Sequence, residues 1–294
     1  MNQFTPQASI SHHQREAADW LLVAAVNDEE VLRQTLLRSP DLEARCQIIL
    51  KRGFPSAPLA YNAGMAEAAH EVLIFVHQDV YLPRGWMADL WRALEKLASL
   101  DSDWGVLGVY GVATDGHKAG HVYSTGLGGV LGEPFTQPLE ATSLDELLLV
   151  TRRSANLRFD EELPGFHLYG ADICFQAARR GLKSYIIPAF CVHNSNGIPY
   201  LPKAYWRSYF YMRRKWWAHL PLETTCTRIT QGYGPVLESF WSALRHSIVP
   251  IKVGARSPDP ELVYRSLGLR DAEGPGKAGA GNPPSKNGSN SCRA

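Results

Sequence analysis

A chain of 294 residues, 45% apolar and 20% charged, carries enough core-forming material for one large α/β domain and is not the composition of a disordered chain. Its 30 basic and 29 acidic residues leave a formal net charge of +1, with both signs mixed along most of the sequence. That excludes a nucleic-acid binder, which needs a strongly basic face to neutralise phosphates. The cysteines at 46, 174, 191, 226 and 292 are scattered and form no C-x-x-C pair, so neither a disulfide framework nor a zinc knuckle is expected and a reducing, cytoplasmic setting fits.

Residues 1–18 are polar, lack the apolar stretch of a signal peptide, and read as a flexible N-terminus. No apolar run approaches the ~20 residues that span a bilayer. The run Trp20-Leu21-Leu22-Val23-Ala24-Ala25-Val26 reads as a buried strand ending at Asn27-Asp28, where an N-cap followed by Glu29 and Glu30 opens a helix. A second strand covers 47–50, an Ala-rich helix 58–69, and a third strand 72–76. Strand three is apolar at every position, the pattern of a strand covered on both faces. Strand–helix–strand–helix–strand with short connections predicts right-handed βαβ units in a doubly wound, mostly parallel central sheet with flanking helices.

A helix is expected over 86–98, then glycine-rich and β-branched strands over 106–123 and flexible turns over 126–132. A buried strand centres on 147–150. A helix starts near Ala171-Asp172 and stops at Gly181, with strands at 184–187 and 189–193 after it. Two further helical stretches, 204–217 and 235–246, form a helical C-terminal extension spanning 201–270. From 271 to 294 Gly, Pro, Ser, Lys and Asn dominate and disorder is expected.

In doubly wound sheets ligands bind outside the carboxyl ends of the strands. That rule points to Asn27 and Asp28, to Lys51 and Arg52, and to His77 through Asp79. Asp79, just past a buried strand, is positioned to hold a hard divalent cation such as Mn²⁺ or Mg²⁺, which takes oxygen ligands and is completed by substrate phosphates. A capping or solvated aspartate in a turn is the competing reading. Lys51 and Arg52 either meet phosphate or are simply solvated.

The order Ala60-Tyr61-Asn62-Ala63-Gly64, Ala68, Val72 through Asp79, Pro83 and Trp86 resembles the core of family 2 glycosyltransferases. There an A-x-N-x-G helix leads into a strand ending at a metal-binding D-x-D motif. Phe159-Asp160-Glu161, Asp172-Ile173-Cys174-Phe175 and Arg180-Gly181 resemble the acceptor-side motifs of the same family. Val192-His193-Asn194 resembles the histidine that closes the metal site. F-V-H-Q-D-V and F-H-L-Y-G-A-D look closest to a small bacterial subgroup typified by a streptomycin-biosynthesis glycosyltransferase-like protein. The resemblance spans about residues 20–195 and implies a GT-A fold over 19–200.

It further implies Asp79 and His193 as metal ligands, with Asn27, Asp28, Asn62, His77, Asp79 and Asp145 on the donor side. Two departures stand out. His77 replaces the first Asp of D-x-D, and Gly170 falls where the usual base stands. Asp172 and His167 are the remaining candidates for the catalytic base; a helix-start acid and a core or surface histidine are their respective alternatives. Asp145 and Glu146 resemble the segment over the donor sugar, or form a plain polar strand entry.

These residues imply an inverting transfer from a nucleotide-sugar donor to a hydroxyl of a lipid-linked or glycan acceptor, of the kind used in polysaccharide or glycoconjugate synthesis. A non-catalytic nucleotide-sugar-binding module on the same fold is the alternative. A nucleotidyltransferase is disfavoured, since the acids after the first strand would repel phosphate. The aromatic and basic stretch 205–217 is read as a helix packed on the domain, with peripheral contact to the inner membrane as the alternative.

Overall fold

The computed structural model describes residues 20–42, 46–67, 69–248 and 252–269. The expected flexible start (1–18), the expected disordered tail (271–294), Ala68 of the motif and Cys292 lie outside these residues. The chain opens with β1 (Trp20–Val26), α1 (Glu29–Gln34), β2 (Gln47–Arg52), α2 (Ala57–Glu67), β3 (Val72–His77) and β4 (Val80–Tyr81). It continues with α3 (Trp86–Leu100) and strands β5 (Val106–Gly108), β6 (Tyr110–Ala113), β7 (Lys118–Ser124), β8 (Gly129–Gly132), β9 (Leu139–Leu144) and β10 (Leu148–Arg152). Helix α4 (Tyr169–Arg179), β11 (Ser184–Ile186), β12 (Cys191–His193) and α5 (Lys203–Lys215) follow. The hairpin β13 (Leu222–Glu223) and β14 (Arg228–Ile229), then α6 (Gly234–Ile248) and α7 (Pro260–Ser266), complete it.

A 12-stranded sheet runs β2-β1-β3-β10-β5-β11-β9-β6-β7-β12-β4, with β8 on β7, among the described residues. The parallel pairing read from the sequence holds for β2-β1-β3, with Val23 between Ile49 and Phe75. Beyond β3 the sheet is mixed rather than mostly parallel. β10 is antiparallel to β3 and β5, and β6 is antiparallel to β7 and β9. The connection explains the β6–β7 pair: a parallel crossover needs a dozen or more residues, whereas β6 and β7 are joined by a short turn.

Alternation along β1 and β3 sends side chains into two cores. Leu21, Val23, Leu73 and Phe75 meet α2, α4 and α5 on one face, while Leu22, Ala24, Ile74 and Val76 meet α1 and α3 on the other. Helix α3 presents Trp86, Leu90, Ala93 and Leu97 as one buried stripe, and each large side chain there contributes about 1.5–3 kcal/mol of transfer free energy. Tyr205, Tyr209, Met212 and Trp216 bury the inner side of α5 in the same core as β1 and β3. The carboxyl ends of β1 and β3 lie side by side, with Ala25 opposite His77.

Candidate metal centre and its surroundings

Strand β3 delivers His77, a short turn delivers Asp79, and β4 then pairs antiparallel with β12, setting His193 opposite Val80. The Asn194 amide donates to the Asp79 carbonyl at 2.7 Å and locks the turn against the end of β12. Three side chains converge as a result. His77 Nδ1 lies 3.9 Å and His193 Nε2 3.6 Å from the Asp79 carboxylate. One ligand atom from each falls within 4.8 Å of the others, a cluster one cation can bridge after small side-chain rotations.

The hydrogen bonds around the cluster assign the His77 tautomer. Tyr169, at the start of α4, donates its single hydroxyl proton to the Glu146 carbonyl at 3.0 Å. Its oxygen can then only accept from His77 Nε2, 2.6 Å away. Nδ1 therefore keeps its lone pair on the Asp79 side, as a metal ligand requires. Burial holds the His77 imidazole below its ordinary pKa, so it is neutral at pH 7.

Burial also penalises charge on His193 and Asp79, yet each holds the other charged. His193 is raised above the usual histidine range, and Asp79 is held at about 2 by His193, His77 and Arg256. The donor set of two imidazole nitrogens and one carboxylate is one that could hold a divalent cation.

Against this geometry, the family model described as "Glycosyltransferase like family" matches residues 21–210, well over half of the chain and all three cluster residues. The chain belongs to this glycosyltransferase-like family. A curated relative from Fuscovulum blasticum, "ATP synthase subunits region ORF 6", is 33% identical over 132 residues, covering 43% of this chain and 52% of that protein. The chain thus spans about half the length of the curated relative it matches. Similar solved structures include GalNAc-T7 with UDP, GalNAc and Mn²⁺ (TM-score 0.49, 12% identity, 68% of this chain and 48% of that one). They also include the mannosyltransferase PcManGT of Pyrobaculum calidifontis with GDP-Man and Mn²⁺ (TM-score 0.41, 11% identity, 85% and 79%).

Around this glycosyltransferase-like cluster the remaining candidates divide. Gln78 accepts from the Asn27 and Asp28 amides at 3.0 and 3.1 Å, which ties the end of β1 to the metal turn. Asp28 also caps α1 through the Glu30 and Val31 amides. Lys51 pairs with Glu67 and Arg52 with Glu29, so both cations already have partners. Asp145 is held by the Leu147 amide and by the Thr225 hydroxyl at 2.7 Å, next to the cluster.

Asn62, expected on the donor side, is buried with its carboxamide bonded inside the fold. Its amide nitrogen donates to Phe159 O and Glu161 Oε1 and its oxygen accepts from the Phe159 amide, so it clamps the F-D-E segment to α2. Asp172 is likewise engaged elsewhere. It is 1% exposed, and its two oxygens take hydrogen bonds from Trp216 Nε1, Lys215 Nζ and Gln176 Nε2, all at 2.8 Å. At that burial the carboxylate is closed to an acceptor hydroxyl.

Gly170, at the usual base position, has no room for a side chain: a Cβ there would lie 2.7 Å from the Leu144 carbonyl and 3.1 Å from the Glu146 amide. His167 is half-buried, with its ring 5.6 Å from that of Tyr205. Burial holds its pKa below the ordinary histidine value. Glu146 accepts from the Leu168 amide at 3.0 Å, and burial beside Asp145 lifts its carboxyl to about 8.

One residue near the cluster carries no sequence signal. Arg256 donates from Nε to Asn194 O at 2.9 Å and reaches to 3.9 Å from Asp79. It rides on a segment before α7 that is strapped past the end of β12. Gly254 exchanges backbone bonds with Gly126 and Gly197, and Asn194 brackets Ser257 with its carboxamide. A side chain at 254 would collide with the Thr125 carbonyl.

Proposed function

We propose that the chain transfers a sugar from a nucleoside-diphosphate donor to an acceptor hydroxyl, by inverting single displacement with a divalent cation. The observation that carries this reading is the His77–Asp79–His193 cluster at the carboxyl end of β3, within the segment the family model matches. A bound cation would be held by His77 Nδ1, the Asp79 carboxylate and His193 Nε2, and would supply charge neutralisation for the departing diphosphate. Arg256 adds a guanidinium on the same side and binds phosphate oxygens. Asn27 and Asp28, tied to the metal turn by Gln78, sit where the nucleoside is received.

His167 accepts the acceptor's proton. Of the groups near the cluster it is neutral and half-exposed, whereas Glu146 is protonated at pH 7 and so already holds a proton. As the hydroxyl oxygen bonds to the anomeric carbon, the bond from that carbon to the diphosphate breaks and the hydroxyl proton passes to the His167 imidazole. Asp145, anchored by Thr225, borders the sugar pocket. The finer likeness to the streptomycin-associated bacterial subgroup rests on residues 75–80 and 166–172 alone. The four described cysteines are free thiols, which supports a cytoplasmic setting.

Gly170 favours a second reading, a nucleotide-sugar-binding module without transfer, because no base can stand at that position. A thermal-shift panel of nucleoside-diphosphate sugars with Mn²⁺ tests the proposal. A stabilising donor whose effect needs Mn²⁺ and is lost in Asp79→Ala supports it, and no shift with any donor refutes it. Binding without hydrolysis or transfer, unchanged in His167→Ala, selects the module.

A further inference from the structure

Helix α6 is mounted inside out. A helix on a soluble domain turns its large apolar residues to the core, yet α6 points Leu237 (55% exposed), Phe240 (61%) and Trp241 (59%) outward. The residues it turns toward the protein are Val236, which packs against the core, and the smaller Ser239, Ser242 and Ala243. Spacing of three and four residues puts the outward trio on one face. At the start of the helix Tyr233 is also exposed. The Arg213 guanidinium lies 4.6 Å from its ring and 4.9 Å from that of exposed Trp217, which joins the face to the end of α5.

We infer that this face seats on an anionic lipid surface. The charges choose the occupant. Exposed Arg207 and Arg214 lie on α5, which Arg213 ties to this face, and exposed Arg245 lies on α6 itself, against Glu238 as the acid of α6. In a two-fold pairing of two copies the same patch is used twice, so the interface gathers the arginines of both copies with Glu238 as the single α6 acid of each. Anionic headgroups satisfy those arginines while Trp, Tyr, Phe and Leu enter the headgroup–acyl boundary, the composition of an interfacial helix. The surface also leads toward the site: the β13–β14 hairpin just before α6 carries Thr225, which holds Asp145.

The test uses the full chain with vesicles of phosphatidylcholine, with or without phosphatidylglycerol, read by co-sedimentation and tryptophan emission. The expected result is binding to anionic vesicles with a blue-shifted emission. Phe240→Ser with Trp241→Ser lowers that affinity about tenfold or more, while the unfolding midpoint and any Mn²⁺-linked shift are unchanged, so the outcome is separable from that of the transferase reading. Arg214→Glu with Arg245→Glu removes the preference for anionic over neutral vesicles. Absence of vesicle binding, or binding that survives the Phe240/Trp241 pair, overturns the inference. So does a dimer in analytical ultracentrifugation that the same pair dissolves without any lipid binding.

Discussion

Asp172 separates a structural reading of helix α4 from a catalytic one. Its carboxylate receives Trp216 Nε1, Lys215 Nζ and Gln176 Nε2 at 1% exposure, so it pins the end of α5 to α4. Asp172→Ala leaves the Trp216 N–H unsatisfied, at about 1–3 kcal/mol, and strips one of two carboxylates from Lys215. Breaking a buried pair costs about 3–5 kcal/mol, but Lys215 keeps Asp160 at 2.6 Å and some solvent contact. The expected loss is therefore about 3 kcal/mol, or roughly 6–12 °C in Tm for a chain of this size.

Asp172→Asn keeps an acceptor for Trp216 in the same volume, and its cost is about 1 kcal/mol. Asp160→Asn combined with Asp172→Asn leaves Lys215 without a carboxylate, so the pair costs more than the two single changes together. Thermal unfolding followed by circular dichroism, with donor turnover measured on the same samples, checks all three. An Asp172→Asn protein that melts within about 1 °C of wild type but loses roughly 10²–10⁴ in turnover would falsify the anchor reading and restore Asp172 as the base.

Tyr169→Phe removes the acceptor that orients His77, and Mn²⁺ affinity is expected to fall about tenfold or more, measured by titration calorimetry. Mn²⁺ binding must release the proton that Asp79 holds on His193, so affinity rises with pH through the raised His193 pKa and then levels; calorimetry in two buffers of different ionisation heat reads the proton, and a pH-independent affinity contradicts the pairing. Without metal the sign reverses: His193 has a folded pKa above its unfolded one, so the stabilisation by its pair with Asp79 is full below the unfolded value and is lost as pH rises through the folded one. Arg256→Gln is expected to weaken nucleoside-diphosphate binding about tenfold to a hundredfold, the worth of a charged hydrogen bond, while Mn²⁺ binding alone persists; equal loss of both would assign Arg256 to the metal turn instead. Gly170→Asp, which places an acid at the usual base position, is expected to lower Tm with no gain in turnover.

The first and third strands were legible because burial on both faces demands unbroken apolar runs, and 20–26 and 72–76 are such runs, whereas β2, a half-exposed edge strand, shows only the short run Ile48-Ile49-Leu50. The pairing of Asp79 with His193 was legible only through resemblance. What joins them is the two-residue ladder between β4 and β12, too short to mark itself in composition. Asp172 shows a different limit. An acid in the first turn of a helix has the same sequence signature whether it faces a cleft or a lysine from a helix far along the chain, and here Lys215 and Trp216 decide the matter.

Gly170 shows how such a limit is overcome. In sequence it reads as an absent catalytic residue. In the fold it is the place where α4 meets the backbone of residues 144–146 too closely for any side chain, and that close approach carries Asp145 and Glu146 to the edge of the cluster. The contact that excludes a base at 170 therefore also sets Asp145 and Glu146 beside the cluster and leaves His167, three residues earlier, as a second neutral imidazole near His77. If His167→Asn keeps Mn²⁺ and donor binding yet retains full turnover, that chain of reasoning fails at its last link, and Asp145 becomes the group to test.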